Sequence, residues 1–400
     1  MLGGLINFFN PSAEEWTMEA RLLQWLTFLW LLVGLAVLFS ASYPVGDADY
    51  GDGLYYFKRQ LLWAGFGLVG FSLTVNTPLR YLLKIAQWLV FWGLGLIVAT
   101  IIPRLGTTIN GATRWLFFGS FPLQPSELIK PFLVLQSAKV FGNWEQLTVK
   151  TRWRWQGVFV AILVGILLQP NLSTAAFCGM TLFLVATAAG LPYVDLGATA
   201  GGGLLLGTIS ISRNEYQWRR IMSFLNPWAD PKQDGYQLIQ SLLAIGSGGT
   251  WGTGYGLSQQ KLFYLPIQYT DFIFAVYAEE FGLFGSFLLL LMLAAYATLG
   301  LVVALKASPK IHQLVAIGAT VLIVGQSLLN IGVATGVLPT TGLPLPMFSY
   351  GGNSMIASLL AAGLLIRVAR ESSEASAVPS SRTGFQGRSP SGRKFTSCRR

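Results

Sequence analysis

Residues 221–280 read IMSFLNPWADPKQDGYQLIQSLLAIGSGGTWGTGYGLSQQKLFYLPIQYTDFIFAVYAEE. Within an oily sequence this is the one long stretch without a membrane-length apolar run. Gly, Gln, Pro, aromatic residues and a few charges concentrate here, and the polar part closes at Asp271, where a new apolar run begins. A long polar loop held on a rigid scaffold is where function is expected.

The chain of 400 residues is 53% hydrophobic and only 11% charged, with a mean hydropathy of +0.54. Soluble domains carry about 25% charged residues. The deficit, with long uncharged runs, marks an integral membrane protein whose spans are helices, because lipid cannot satisfy backbone groups. Net charge is +10. Short loops and the tail hold much of it, where it sets topology and attracts anionic lipid. No soluble domain exists to bind nucleic acid. Cys178 and Cys398 are too differently placed to suggest a disulfide. Residues 1–20 form a cytoplasmic segment; they hold Glu14, Glu15 and Glu19, unlike a cleaved signal, and LGGLINFF suits a membrane surface.

About ten spans are expected. They are 22–46, 60–79, 85–103, a more polar fourth from Ser126, two spans within 155–194 broken at Gln169-Pro170-Asn171, 196–212, one from near Phe272 to 305, and two within 313–366. The fold class is therefore an all-α polytopic membrane domain over 21–370, with a large loop at 213–270 between helices 7 and 8. The tail 371–400, rich in Ser, Gly, Pro and Arg, is expected to be disordered. Arg80, Lys84, Lys139, Lys150, Arg152, Arg154, Lys306 and Lys310 fall in alternate loops, and GDADYGDG in the first opposite loop is acidic. Both termini are thus inside and the 213–270 loop outside. Against that bias, Arg104, Arg114, Arg213, Arg219, Arg220, Lys232 and Lys261 lie outside. They suggest an anionic ligand there, although a loop this long also escapes the rule.

Ser126 after Gln124-Pro125 is placed to cap the fourth span, and Lys130 stands one turn from Glu127. Ionisable residues at membrane depth are functional candidates, so Arg114, Glu127 and Lys130 are expected around one cavity, with Arg114 as interfacial anchor the plainer alternative. Asp230 and Asp234 sit among Pro, Lys and Gly as turn residues do. Asp271 stands at the polar-to-apolar boundary, where partial desolvation makes a carboxylate a better base; a helix cap is its alternative role. Glu279 and Glu280 lie about two turns into the next span, where at least one must face the interior. LPTTGLPLPMFSYGGNS, 338–354, is too broken for a helix and must line a cavity or be buried. His312 beside Lys310 suits neither a metal nor catalysis, and no metal cluster, P-loop or dinucleotide fingerprint is present.

NGATRWL with QPSELIK, NPWADP, GYQLIQSLLAIGSGG, YLPIQYTDFIFAVYAEE and NIGVATGVLPTTGLPLPMFSYGGNS follow one another in the order found in the FtsW/RodA (SEDS) family, which this sequence resembles over residues 20–370. NPWADP and YYFKRQ look more like its division members, FtsW, than its elongation members. The resemblance implies a peptidoglycan glycosyltransferase that polymerises lipid II at the outer face of the bacterial plasma membrane, at the division septum. Its partners would be a class B penicillin-binding protein and other divisome membrane proteins. The family's loop aspartate falls on Asp271, and its Arg, Glu and Lys on Arg114, Glu127 and Lys130. Tyr269 replaces a common histidine, and Asn171 a common aspartate. Arg219, Arg220, Lys261, Glu279 and Glu280 are further candidates for holding substrate, with the basic side chains facing the pyrophosphate. No cofactor is implied, and a divalent cation beside the pyrophosphate stays open. The competing functions are a lipid II flippase, which the absence of a clear internal repeat disfavours, and a divisome scaffold without chemistry.

Overall fold

The computed structural model describes residues 16–377 except 104, 110, 111 and 120. The segment LGGLINFF, Arg104, Cys398 and most of the tail lie outside the described residues. The helices are α1 (Met18–Tyr50), α2 (Tyr55–Asn76), α3 (Leu79–Ile101), α4 (Pro125–Gly142), α5 (Val149–Leu168), α6 (Leu172–Ala188), α7 (Tyr193–Arg213), α8 (Glu215–Leu225), α9 (Tyr236–Ser247), α10 (Ile273–Lys306), α11 (Lys310–Ala334) and α12 (Gly352–Ala377). Among the described residues, α1, α3, α5, α7, α10, α11 and α12 are long and apolar enough to cross a membrane. The other three expected spans also fall on helices: α2 of 22 residues, α4 of 18 and the apolar α6 of 17. At 1.5 Å per residue, 18 residues reach about 27 Å, close to the hydrocarbon thickness. Lys58 and Arg59 in α2 and Glu127, Lys130 and Lys139 in α4 are what make those two helices less apolar.

The bundle is built around α12, whose membrane-length part is 89% buried. It packs on α1, α2, α3, α4, α10 and α11. By contrast α7 buries only Leu196 and presents the rest of its surface outward. Trp30 of α1 anchors the broken 338–351 connection: its Nε1 donates to Pro346 O at 2.7 Å, and its ring meets Phe348 at 5.9 Å. Leu343, Leu345, Met347, Phe348 and Ser349 are all buried. This irregular segment is therefore enclosed in protein, as lipid requires.

Connections segregate to two ends. At one end Arg370 Nη1 donates to Val75 O, Leu79 N donates to Glu371 Oε1, and Lys306 pairs with Glu19. The loops joining α1 to α2, α3 to α4, α5 to α6, α7 to α10 and α11 to α12 meet at the other end.

Three local features depart from expectation. Between α3 and α4 the chain forms a small antiparallel sheet of β1 (Gly106–Ile109), β2 (Ala112–Phe118) and β3 (Phe121–Leu123). Thr107 faces Trp115, and Phe117 faces Pro122. β-branched residues flanking Asn110-Gly111 are a hairpin signal that the helical reading passed over. Ser126 does not cap α4: Gln124 holds that place without a side-chain bond, Pro125 fills the first turn, and Ser126 Oγ is buried without a partner. Finally α12 runs on to Ala377, so the tail does not begin at 371 as expected.

Candidate active site around Asp271

Beyond the site, α10 breaks at a strained position. Gly282 adopts φ 67° and ψ −164° inside the helix, a conformation open essentially to glycine. The groups that the break frees are satisfied by the loop before it. Thr253 N and Gly254 N donate to Glu279 O and Glu280 O at 2.9 and 3.1 Å, while Leu283 N and Phe284 N donate to Gly249 O and Thr250 O at 2.9 and 3.1 Å. A Cβ at Gly248 or Gly252 would collide with the carbonyl oxygen of Ala278 or Glu280. The glycines of GSGGTWG thus let loop backbone lie against helix backbone.

The expected polar residues of this region sort into two groups. Lys261, Glu279 and Glu280 form the first. Lys261 Nζ pairs with Glu280 Oε1 at 2.7 Å and reaches Ser40 Oγ at 2.7 Å; Ser40 Oγ donates to Glu280 Oε1 at 2.5 Å. Glu279 accepts from Ser258 Oγ and from Gln259 N at 2.9 Å. All three charged side chains are buried and hydrogen-bonded, though Glu280 Oε2 keeps no partner, and they clamp the loop to α1 and α10.

The second group surrounds Asp271. The residue capping α10 is Phe272, with no side-chain bond to the helix end; the cap role considered for Asp271 is therefore not the one it plays. Its main-chain carbonyl accepts from Asn330 Nδ2 at 2.8 Å. Its carboxylate lies beside Gly342, where an added Cβ would stand 3.4 Å from Oδ2. Burial pushes this carboxyl's pKa up; Arg220 and Arg114 pull it back, and Glu127 adds to the rise. Arg114 on β2 donates from Nη2 to Pro170 O at 3.2 Å and keeps Nε buried without a partner. Burial, and then Arg220, hold its pKa below the ordinary guanidinium value, against the opposing pull of Tyr216 and Asp271. Arg220 donates to Thr340 O at 3.2 Å and stacks 4.7 Å over the Tyr216 ring. Asn171 caps α6 through Oδ1, accepting from Thr174 N at 3.3 Å, and its Nδ2 is a second buried donor without a partner.

Glu127 and Lys130 face the protein interior, each 3% exposed. They pair at 2.7 Å, and Lys130 Nζ also bonds Gln326 Oε1 at 2.9 Å and lies 5.4 Å from the Phe177 ring centre. With Leu322, Ala357 and Ser358 they line a cavity of about 10 Å³, room for roughly one water. Arg219 points elsewhere, exposed and paired with Glu215 at 2.9 Å. Asp234 is exposed and Asp230 follows a short 3-10 turn, as turn residues do. Tyr269 packs between Tyr56 and Tyr350, with ring centres at 4.7 and 5.8 Å. Among the described residues no group of three His, Cys, Asp or Glu could hold a metal ion.

The sequence reading missed Gln326 and Asn330. They stand four residues apart on α11, just after a π-helical turn at Val321–Gly325. Two amides in an apolar span were the available signal.

An acid whose affinity for protons is raised can take a proton from a hydroxyl, while two guanidiniums within electrostatic reach, Arg114 with an unpartnered donor, stabilise a departing anion. Comparison with known proteins points the same way. Residues 20–374 match the FtsW/RodA/SpoVE family, described as cell cycle protein. The chain is 52% identical over 372 residues, 93% of its own length and 94% of the relative's, to "Probable peptidoglycan glycosyltransferase FtsW" of Synechocystis sp. (strain ATCC 27184 / PCC 6803 / Kazusa). It is 37% identical over 356 residues (87% and 96%) to stage V sporulation protein E of Bacillus subtilis (strain 168). Among solved structures it resembles a chain reported under "Structural coordination of polymerization and crosslinking by a peptidoglycan synthase complex", with a TM-score of 0.70 and 28% identity over 88% of this chain and 97% of that one. The crystal structure of Thermus thermophilus RodA is similar at a TM-score of 0.64 and 28% identity, covering 87% and 96%.

Proposed function

This chain belongs to the FtsW/RodA/SpoVE family and is a multi-pass membrane peptidoglycan glycosyltransferase; we propose that it polymerises lipid II with Asp271 as general base. The observation that carries this reading is the Asp271 carboxylate, half-buried, uninvolved in capping and within electrostatic reach of Arg114 and Arg220.

Lipid II joins a polyprenyl tail, a pyrophosphate and a muropeptide head. The acceptor's sugar hydroxyl loses its proton to Asp271, its oxygen attacks the donor's anomeric carbon, and the bond to the donor's pyrophosphate breaks. The leaving group departs as an anion, and Arg114 and Arg220 supply the charge that stabilises it. Arg114 Nε and Asn171 Nδ2 are donors with no protein partner, suited to phosphate oxygens. A single carboxylate acting as base, without a covalent intermediate, inverts the donor's anomeric configuration, by analogy with inverting glycosidases. In this reading Glu127, buried and paired with Lys130, raises the Asp271 pKa rather than touching substrate.

The site faces outward from the plasma membrane in this reading, with both termini cytoplasmic, supported by the Lys and Arg distribution along the chain. A class B penicillin-binding protein is the expected partner, since a structural relative belongs to a complex that couples polymerization to crosslinking. The likeness to FtsW points to the division septum as the place of action.

Purified chain with its partner, given fluorescent lipid II in liposomes, should produce glycan polymer. Transbilayer movement of lipid II without polymer, or neither activity, would overturn the assignment.

A further inference from the structure

Two amides on α11 bind the segments that converge on the carboxylate. Asn330 Nδ2 donates to Asp271 O and to Leu343 O, both at 2.8 Å. Gln326 Nε2 donates to Pro344 O at 2.7 Å while its Oε1 accepts from Lys130 Nζ at 2.9 Å. One helical face therefore holds the start of α10, the 338–351 connection and the buried lysine together. The π-helical turn at Val321–Gly325 immediately precedes these amides. Such turns re-aim the residues that follow and recur at functional sites.

Steric detail sharpens this. Gly342, at φ 70°, stands against the Asp271 carboxylate, and the next residue is the one Asn330 holds. Ser349 closes the same arrangement from the far side, donating to Thr270 O at 2.6 Å and accepting from Leu345 N at 2.8 Å. Asn330 is 1% exposed, so its two bonds have no competition from water. Both ends of the Asp271 environment, its own main chain and the wall opposite its side chain, are thus fixed by one amide group.

We propose that Asn330 is the positioning residue of the catalytic carboxylate, with Gln326 extending its hold to the Lys130–Glu127 pair. This rests on the reading of Asp271 as base. Asn330 touches no reacting atom; it sets where the carboxylate stands. Displacing a catalytic group by about 1 Å can cost on the order of 100-fold in rate.

The test uses the full chain with its partner in liposomes and fluorescent lipid II. Asn330→Leu keeps the side chain's volume and removes both donors. Asn330→Ser keeps one donor and is the variant to use if the leucine form does not fold. Expected for Asn330→Leu is a kcat lower by about 10- to 100-fold with KM within about twofold, and a shifted acid limb of the pH–kcat profile. Asn330→Ser should show the same pattern with a smaller loss. A folded variant with unchanged kcat, a rise in KM alone, or a loss of kcat with an unmoved acid limb overturns the proposal. Asp271→Asn is run alongside: if it stays active the base assignment fails, whereas an inactive Asp271→Asn with unaffected Asn330 variants defeats the positioning role alone.

Discussion

At the scale of single residues, the site combines a carboxyl whose pKa burial raises with two guanidiniums, of which Arg114 keeps Nε without a partner. The Asp271 carboxyl must be ionised to act as base, and burial raises its pKa above the ordinary carboxylate range near 4. Activity should therefore fall as pH drops through a value above that range, read as the acid limb of a kcat profile. The same shift has a stability consequence. An acid whose folded pKa is raised binds protons more tightly folded than unfolded, so ionisation destabilises the fold as pH rises through the unfolded value. Asp271→Asn should accordingly unfold at a higher temperature than wild type at neutral pH; a lower melting temperature contradicts the burial argument. Behind it, Lys130→Met leaves Glu127 buried without its ion partner, a loss of about 3–5 kcal/mol. Adding Glu127→Gln should recover much of that in thermal unfolding. Asp271 and its neighbours Arg114, Glu127 and Lys130 were legible because ionisable residues stand out in an apolar chain. Lys261, Glu279 and Glu280 stood out for the same reason, yet they are buried and bonded within the protein, Lys261 to Glu280 and Glu279 to the loop. Composition registers a charge; only geometry shows whether another group already occupies it.

At the scale of elements, the broken α10 explains why the preceding loop is rich in glycine. Gly252→Ala puts a Cβ against Glu280 O at a φ of 82°, and should cost about 1–3 kcal/mol. Gly246→Ala in α9, where a Cβ meets nothing within 4 Å, should be neutral or stabilising. Thermal unfolding of the two variants separates close backbone approach from general loop flexibility; equal melting temperatures would remove the close-approach account. Spans were readable because long uncharged runs admit helices alone in lipid. The sheet at 106–123 was not, since its strands are short and its hairpin signal sits among residues that also suit an interfacial anchor. The π-helical turn in α11 leaves no mark in hydropathy, so the aim of Gln326 and Asn330 became visible only in three dimensions.

At the scale of the whole molecule, the two sets of connections lie at opposite ends of the bundle, and the Asp271 group lies at the end opposite the start of α1 and the last turns of α12. Charge along the sequence assigns that end to the outside. Lys232 and Lys150 are both exposed and fall at opposite ends of this arrangement. In a Cys398→Ser background, with Cys178 buried, Lys232→Cys should react with an impermeant maleimide from outside the cell and Lys150→Cys only after permeabilisation. The reverse pattern would place the site inside and remove its access to an outer-face substrate. α12 runs past the expected tail start at 371 to Ala377, because Ser and Glu residues extend a helix by one or two turns as readily as they open a disordered segment.

The most direct measurement is the lipid II polymerisation rate of Asp271→Asn beside wild type, with Asp230→Asn and Asp234→Asn as turn-residue controls and partner binding checked in each. Loss of a general base predicts a rate lower by about 10²–10⁴-fold for Asp271→Asn and near-normal rates for both controls. Polymerisation by Asp271→Asn at close to the wild-type rate would contradict the assignment of Asp271 as the base.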